Sequence, residues 1–153
     1  MKATPNPLMS THELCDALLA QARVAMRKGD WSQALARLEE CLPHMERHIY
    51  AEEAVLFPYV AAAAPDLEPA LAQCQHEHAE ILAWLKSAVA SARDRDSAGG
   101  SIVLAQLMGL LAYHRRTEER LIYAHAPKLD SGLLTVLESA TETENAAPAH
   151  RLA

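Results

Sequence analysis

No apolar run in this chain approaches the roughly 18–20 residues that a membrane-spanning helix requires, so no membrane partner is expected. The stretch MKATPNPLMS has one lysine and no apolar segment, and no signal peptide is expected from it. No basic block offsets the formal net charge of −6, which argues against nucleic acid as a partner. Cysteine is sparse: Cys15, Cys41 and Cys74 show no CxxC spacing, which fits reduced thiols in a cytoplasm. Glycine is scarce as well, while alanine and leucine dominate, so helices are favoured over sheets. A chain of 153 residues has the size of one ordinary domain with a single core. Against these shortages stand 8 histidines.

Punctuation and period divide the chain into helices. Ser10-Thr11-His12-Glu13 is a capping-box pattern, and Gly29 closes the segment it opens. Leu8, His12, Cys15, Leu19, Ala22 and Met26 form one apolar stripe there, widened by Leu14 and Leu18. Asp30-Trp31-Ser32-Gln33 is a second capping box, followed by Leu35, Leu38, Leu42, Met45, Ile49, Glu52 and Leu56, with Pro43 expected to kink or break this helix. A third helix starts at Pro65-Asp66 and carries Leu67, Leu71, Cys74, His78, Ile81 and Leu85 on one face. It fades into SARDRDSAGG, which reads as the longest loop. The fourth runs from near Ser101 to His125, with Leu104, Leu107, Leu111, His114, Glu118 and Leu121 on its seam. Lys128 to Ser139 is expected to add a short helix, and the polar tail TETENAAPAHRLA to be disordered. The expectation is an all-α, up-down-up-down four-helix bundle over residues 1–140, with a flexible tail over 141–153.

The chain also repeats itself. HIYAEEAVLFP (48–58) aligns with HRRTEERLIYA (114–124), so that His48 matches His114, Glu52 matches Glu118, Glu53 matches Glu119 and Phe57 matches Tyr123. The same offset carries His12 onto His78. Counted from the expected turns at about 1.5 Å per residue, His12, His48, Glu52, His78, His114 and Glu118 fall within about one helical turn of a common layer. Each HxxxE places its two side chains one turn apart on the same face. Four imidazoles and two carboxylates in an apolar layer are very unfavourable unless something pairs with them. A metal resolves this: nitrogen and carboxylate donors without thiolate suit iron or manganese, and two bridging glutamates suit a pair of ions.

His12, the HxxxEE-xx-LFP segment, the Glu77-His78 pair and the second HxxxEE resemble the hemerythrin-like family, specifically the HHE cation-binding domains, over about residues 8–128. The resemblance implies a helical bundle holding a non-haem di-iron centre that binds or responds to dioxygen, peroxide, nitric oxide or iron itself. It implies His12, His48, Glu52, His78, His114 and Glu118 as ligands, with both glutamates bridging two iron ions and manganese the alternative in one position. The chain departs from the oxygen-carrying hemerythrins in two respects. Cys74 and Leu82 occupy the positions one turn either side of His78, where a second histidine is expected, and the last helix has His-x3-Glu in place of His-x4-Asp. These departures leave positions for water, a small molecule or an extra ligand such as a tyrosine or His44.

Three functions follow, in order of preference. The first is a cytoplasmic di-iron protein, monomer or homodimer, that senses or detoxifies a diatomic ligand or peroxide. The second is iron storage, delivery or repair of iron centres, and the third a metal-free helical interaction domain. An enzyme is not expected, since no separate substrate pocket, nucleophile or base constellation is visible, but a peroxidase- or catalase-like side activity is left open. Glu53 and Glu119 are read as outward neighbours that orient a histidine or pair with Arg115 or Arg116. Cys15 and Cys74 each lie about one turn from a candidate ligand. His76 is read as solvated, and His125 as a residue at the end of the bundle.

Overall fold

The computed structural model describes residues 7–128 and 131–142, and every regular element among them is helical. The first helix, α1 (Pro7–Arg27), begins earlier than Ser10. Proline presets the backbone angle of a first helical turn, and the extension buries Leu8 completely. Ser10 therefore lies inside the helix and cannot serve as the N-cap of the expected capping box, and Thr11 Oγ1 donates back to the Pro7 carbonyl at 3.3 Å. At the other end Gly29 has φ +72°, its N–H donates to Met26 O at 3.0 Å, and Asp30 N–H donates to Ala25 O at 2.9 Å. This is a Schellman closure. Asp30 Oδ1 then accepts from Gln33 N–H at 3.1 Å and opens α2 (Trp31–Ala51).

Pro43 does not break α2. Its missing N–H frees the carbonyl of Glu39, and both residues are exposed, so water can satisfy that oxygen. The interruption comes later, as a π-helical turn over Glu52–Leu56 that leads into α3 (Phe57–Ala63). A short 3-10 turn, Pro65–Leu67, precedes α4 (Glu68–Arg93), and α5 spans Ser97–Thr117. A second π-helical turn, Glu118–Ile122, and a 3-10 segment, Tyr123–Lys128, follow α5. The last helix, α6 (Ser131–Glu142), lies slightly beyond the expected Lys128 to Ser139. The expected tail begins within α6 and otherwise falls outside the described residues.

The long loop read in SARDRDSAGG is not there. Only residues 94–96 separate α4 from α5, in the same Schellman geometry as the first turn: Arg95 has φ 53°, and Asp96 N–H donates to Ser91 O at 2.9 Å. Asp96 Oδ1 caps Gly99 N–H at 2.9 Å. Both glycines lie in the first turn of α5, and at Gly100 a Cβ would sit 3.1 Å from the Met26 sulfur of α1. Gly29-Asp30 and Arg95-Asp96 are related by the offset that relates His48 to His114, so the repeat extends to the turns.

α1 packs on α2 and α5, α4 packs on α5 and α2, and α6 lies across α2, α1 and the first π turn. The interior divides into two apolar clusters. One, around Leu19, Leu38, Leu85 and Leu107, fills the end nearest the two Schellman turns. The other, around Leu8, Leu56, Val60, Ile122 and Leu137, fills the opposite end under α6. Two expected seam residues face outward, Leu14 (39 % exposed) and Leu121 (38 % exposed). The second π turn adds a residue to the helical register, so Ile122 and Tyr123 point inward in place of Leu121. No helix among the described residues is long and apolar enough to cross a membrane.

Candidate metal centre

Between the two apolar clusters lies a polar layer. His12 comes from α1, His48 from α2, Glu52 from the first π turn, His78 from α4, His114 from α5 and Glu118 from the second π turn, and all six are buried. All six candidates therefore meet. Each HxxxE keeps its i,i+4 contact, with His48 Nε2 to Glu52 Oε1 at 3.1 Å and His114 Nε2 to Glu118 Oε1 at 2.8 Å. Both π turns begin at these glutamates, which changes register immediately after the His/Glu pair and re-aims the following side chains inward.

The donor atoms sort into two pockets. The first gathers His12, His48, Glu52 and Glu118, and the second gathers His78, His114, Glu52 and Glu118. Glu52 turns Oε1 toward His48 and Oε2 toward His78 Nε2, at 3.0 Å. Glu118 turns Oε2 toward His12 Nε2 at 3.3 Å and Oε1 toward His114 and His78, the latter at 3.3 Å. Each carboxylate thus divides its two oxygens between the pockets. The histidines of a pocket come from one helical hairpin, α1–α2 or α4–α5, and one glutamate in each pocket comes from the other hairpin.

The electrostatics match a cation site. Burial and the charge of Glu118 oppose ionisation of Glu52, yet contacts from His48 and His78 hold its pKa below the usual carboxylate value. Burial likewise opposes ionised Glu118, and His114, His12 and His78 together hold it well below that value. Burial disfavours charged His78, but hydrogen bonds to Glu118, Glu52 and Glu53 push its pKa up to about 11. The same competition, won by glutamates, raises His48 and His114. The His12 and His48 Nε2 atoms lie 3.0 Å apart, within hydrogen-bond distance of each other. In each pocket two imidazole nitrogens and two carboxylate oxygens converge without thiolate, a donor set that fits iron or manganese.

The outer atoms show what the sequence reading captured and what it missed. Glu53 accepts from His78 Nδ1 at 2.7 Å, as an orienting neighbour should. Glu119 lies 3.7 Å from His12 Nδ1, and Arg115 pairs with Asp16 of α1 through both of its terminal nitrogens. Two site residues were missed. Glu77, 2 % exposed, accepts from His114 Nδ1 at 2.7 Å and from Gln73 Nε2 at 3.0 Å. Tyr123 places its hydroxyl 2.5 Å from Glu52 Oε1, 3.3 Å from Glu118 Oε2 and 3.2 Å from His12 Nε2. Burial and both carboxylates raise its pKa well above the usual phenol value, so the hydroxyl stays protonated and donates to Glu52. The signal for Tyr123 was present in its alignment with Phe57. Glu77 announced itself only by standing next to His78.

His44 lies outside the layer, its Nδ1 accepting from Arg47 at 2.9 Å. His76 is exposed beside Glu80, and His125 is half-buried beyond the site. Cys74 lies near Glu77 and His114, but burial raises its pKa and keeps the thiol protonated. Cys15 is hydrogen-bonded to Cys41, which lowers its own pKa, while that bond and burial raise Cys41.

A bundle whose buried layer offers two adjoining His/Glu pockets defines a cation-binding protein. The chain matches the family model of the hemerythrin HHE cation binding domain over residues 6–126 and belongs to that family. Neither curated proteins nor solved structures yield a match.

Proposed function

We propose that this chain holds a carboxylate-bridged pair of non-haem iron ions and that the open iron positions bind dioxygen, peroxide or nitric oxide, for sensing or detoxification. The observation that carries the reading is the division of the Glu52 and Glu118 oxygens between two histidine pairs. His12 and His48 would hold one ion, His78 and His114 the other. Iron supplies redox change and exchangeable coordination positions; the protein supplies a dry, fixed donor set. In this reading α1, α2 with α3, α4 and α5 form the four-helix up-down-up-down bundle expected of the family, its paired helices joined by the tight turns at Gly29 and Arg95.

A cavity of about 10 Å³ adjoins the four histidines on the side of Leu111 and Ile81. It has room for about one water-sized species and none for an organic substrate. Tyr123 is the tyrosine positioned to serve the first pocket, and its protonated hydroxyl makes it a hydrogen-bond donor there. Iron delivery is the second reading, favoured by the inequality of the two pockets argued below.

Metal analysis of protein purified from iron-rich cells, with optical spectra taken with and without oxygen, tests the proposal. Two irons per chain and an oxygen-dependent near-ultraviolet band are expected. Less than one metal per chain overturns it.

A further inference from the structure

The internal repeat allows the two pockets to be compared position by position, and they differ at three places. Behind the second pocket, both histidines are held by carboxylates: His78 Nδ1 donates to Glu53 at 2.7 Å and His114 Nδ1 donates to Glu77 at 2.7 Å. Behind the first pocket neither is held. The His12 and His48 Nδ1 atoms are buried without a hydrogen-bond partner. Glu119, the counterpart of Glu53, stands off His12 at 3.7 Å. Thr11, the counterpart of Glu77, has spent its hydroxyl on the Pro7 carbonyl. The third difference lies in the rings stacked on the ligands. Phe57 stacks on His78 and its counterpart Tyr123 stacks on His12, so only the first pocket carries a hydroxyl. That hydroxyl donates to Glu52 Oε1, the oxygen that faces His48.

All three differences act in the same direction. A carboxylate accepting from Nδ1–H fixes the ring and its tautomer and makes the opposite nitrogen a better donor to a cation, an effect typically worth 10–100-fold in affinity per partner. Glu77, out of solvent, is screened less than the half-exposed Glu53 and exerts the larger share. On the first pocket the Tyr123 hydrogen bond competes with a cation for the lone pairs of Glu52 Oε1.

We propose that the two metal positions are unequal: the one between His78 and His114 is retained, the one between His12 and His48 is exchangeable, and Glu77 and Glu53 are the positioning residues that set the difference. The proposal rests on the reading that the chain holds two ions. It gives the delivery function a physical form, in which one ion leaves while the other keeps the bundle assembled.

The test is anaerobic titration of metal-free, full-length protein with Mn(II), followed by the paramagnetic signal of the free ion. Two steps of one ion per chain are expected, the first at least about 10-fold tighter than the second. His12→Ala should remove the weaker step and leave the tighter one. Glu77→Gln, which keeps the shape and one acceptor but loses the charge, should weaken the tighter step by about 10–100-fold and leave the stoichiometry at two. Two ions binding with equal affinity, or Glu77→Gln weakening both steps alike, overturns the proposal. Stoichiometry that never exceeds one ion per chain would instead overturn the two-ion reading on which it stands.

Discussion

Glu52 and Glu118 occupy corresponding positions in the two halves of the chain, each opens a π-helical turn, and each directs one oxygen toward either histidine pair. Between them they neutralise a layer that would otherwise be a cluster of buried imidazoles. The same carboxylates raise the pKa values of His48, His78 and His114, so a cation entering the layer would compete with protons there.

Removing one of these carboxylates should disturb both positions at once. Glu118→Ala is expected to reduce bound metal below two per chain. It should also destabilise the metal-free protein by about 3–5 kcal/mol, since His12, His78 and His114 lose their common buried partner. Metal analysis and denaturant unfolding after chelation measure the two effects.

The stability of the metal-free protein should peak in mildly acidic solution. The folded protein holds the His78 proton more tightly than the unfolded chain, so that contribution is complete below about pH 6.5 and declines as pH rises toward 11. Glu52 and Glu118 behave oppositely: their folded pKa values are depressed, and their contribution is present above about pH 4.5 and lost as pH falls. Denaturation midpoints measured between pH 4 and 9 should reveal the maximum. Metal loading at neutral pH should release protons, which calorimetry in buffers of different ionisation enthalpy will count.

Tyr123→Phe turns the first pocket's stacked ring into that of the second. The stoichiometry for Mn(II) should remain two, and the weaker step should tighten by a few-fold as Glu52 Oε1 is freed. A fall to one ion would show that the hydroxyl is itself an indispensable ligand.

The paired turns give a prediction of opposite signs. Arg95 sits at φ 53° where its counterpart Gly29 sits at φ 72°. Arg95→Gly should therefore stabilise by about 0.5–1 kcal/mol, and Gly29→Ala should destabilise by about 1 kcal/mol. Metal content should not change in either variant, so denaturant midpoints alone decide the matter.

The convergence of the six buried His and Glu side chains was legible in the sequence because charged and imidazole side chains on an apolar seam are conspicuous, and because the repeat showed them twice. The register beyond the glutamates was not. A regular helical period places Leu121 inward, whereas the π turn gives that place to Ile122, and no local residue preference announces such a turn. Ser91 to Gly100 misled for a related reason. Its glycines look like loop punctuation, yet Gly100 is small to admit Met26 from a helix remote in sequence. Glu77 lay off the counted stripe, and only the opposing His114 explains why it is buried.

The crossed glutamates have a consequence for how the halves of the chain depend on each other. Neither hairpin owns a complete pocket: α1–α2 supplies two imidazoles and borrows an oxygen of Glu118, and α4–α5 borrows one of Glu52 in return. In the proposed two-ion reading, a cation in either place would tie the first half of the molecule to the second, like a rivet through two plates. On that reading the metal would be as much a fastener as a reagent, and holding the last ion would keep the two halves joined.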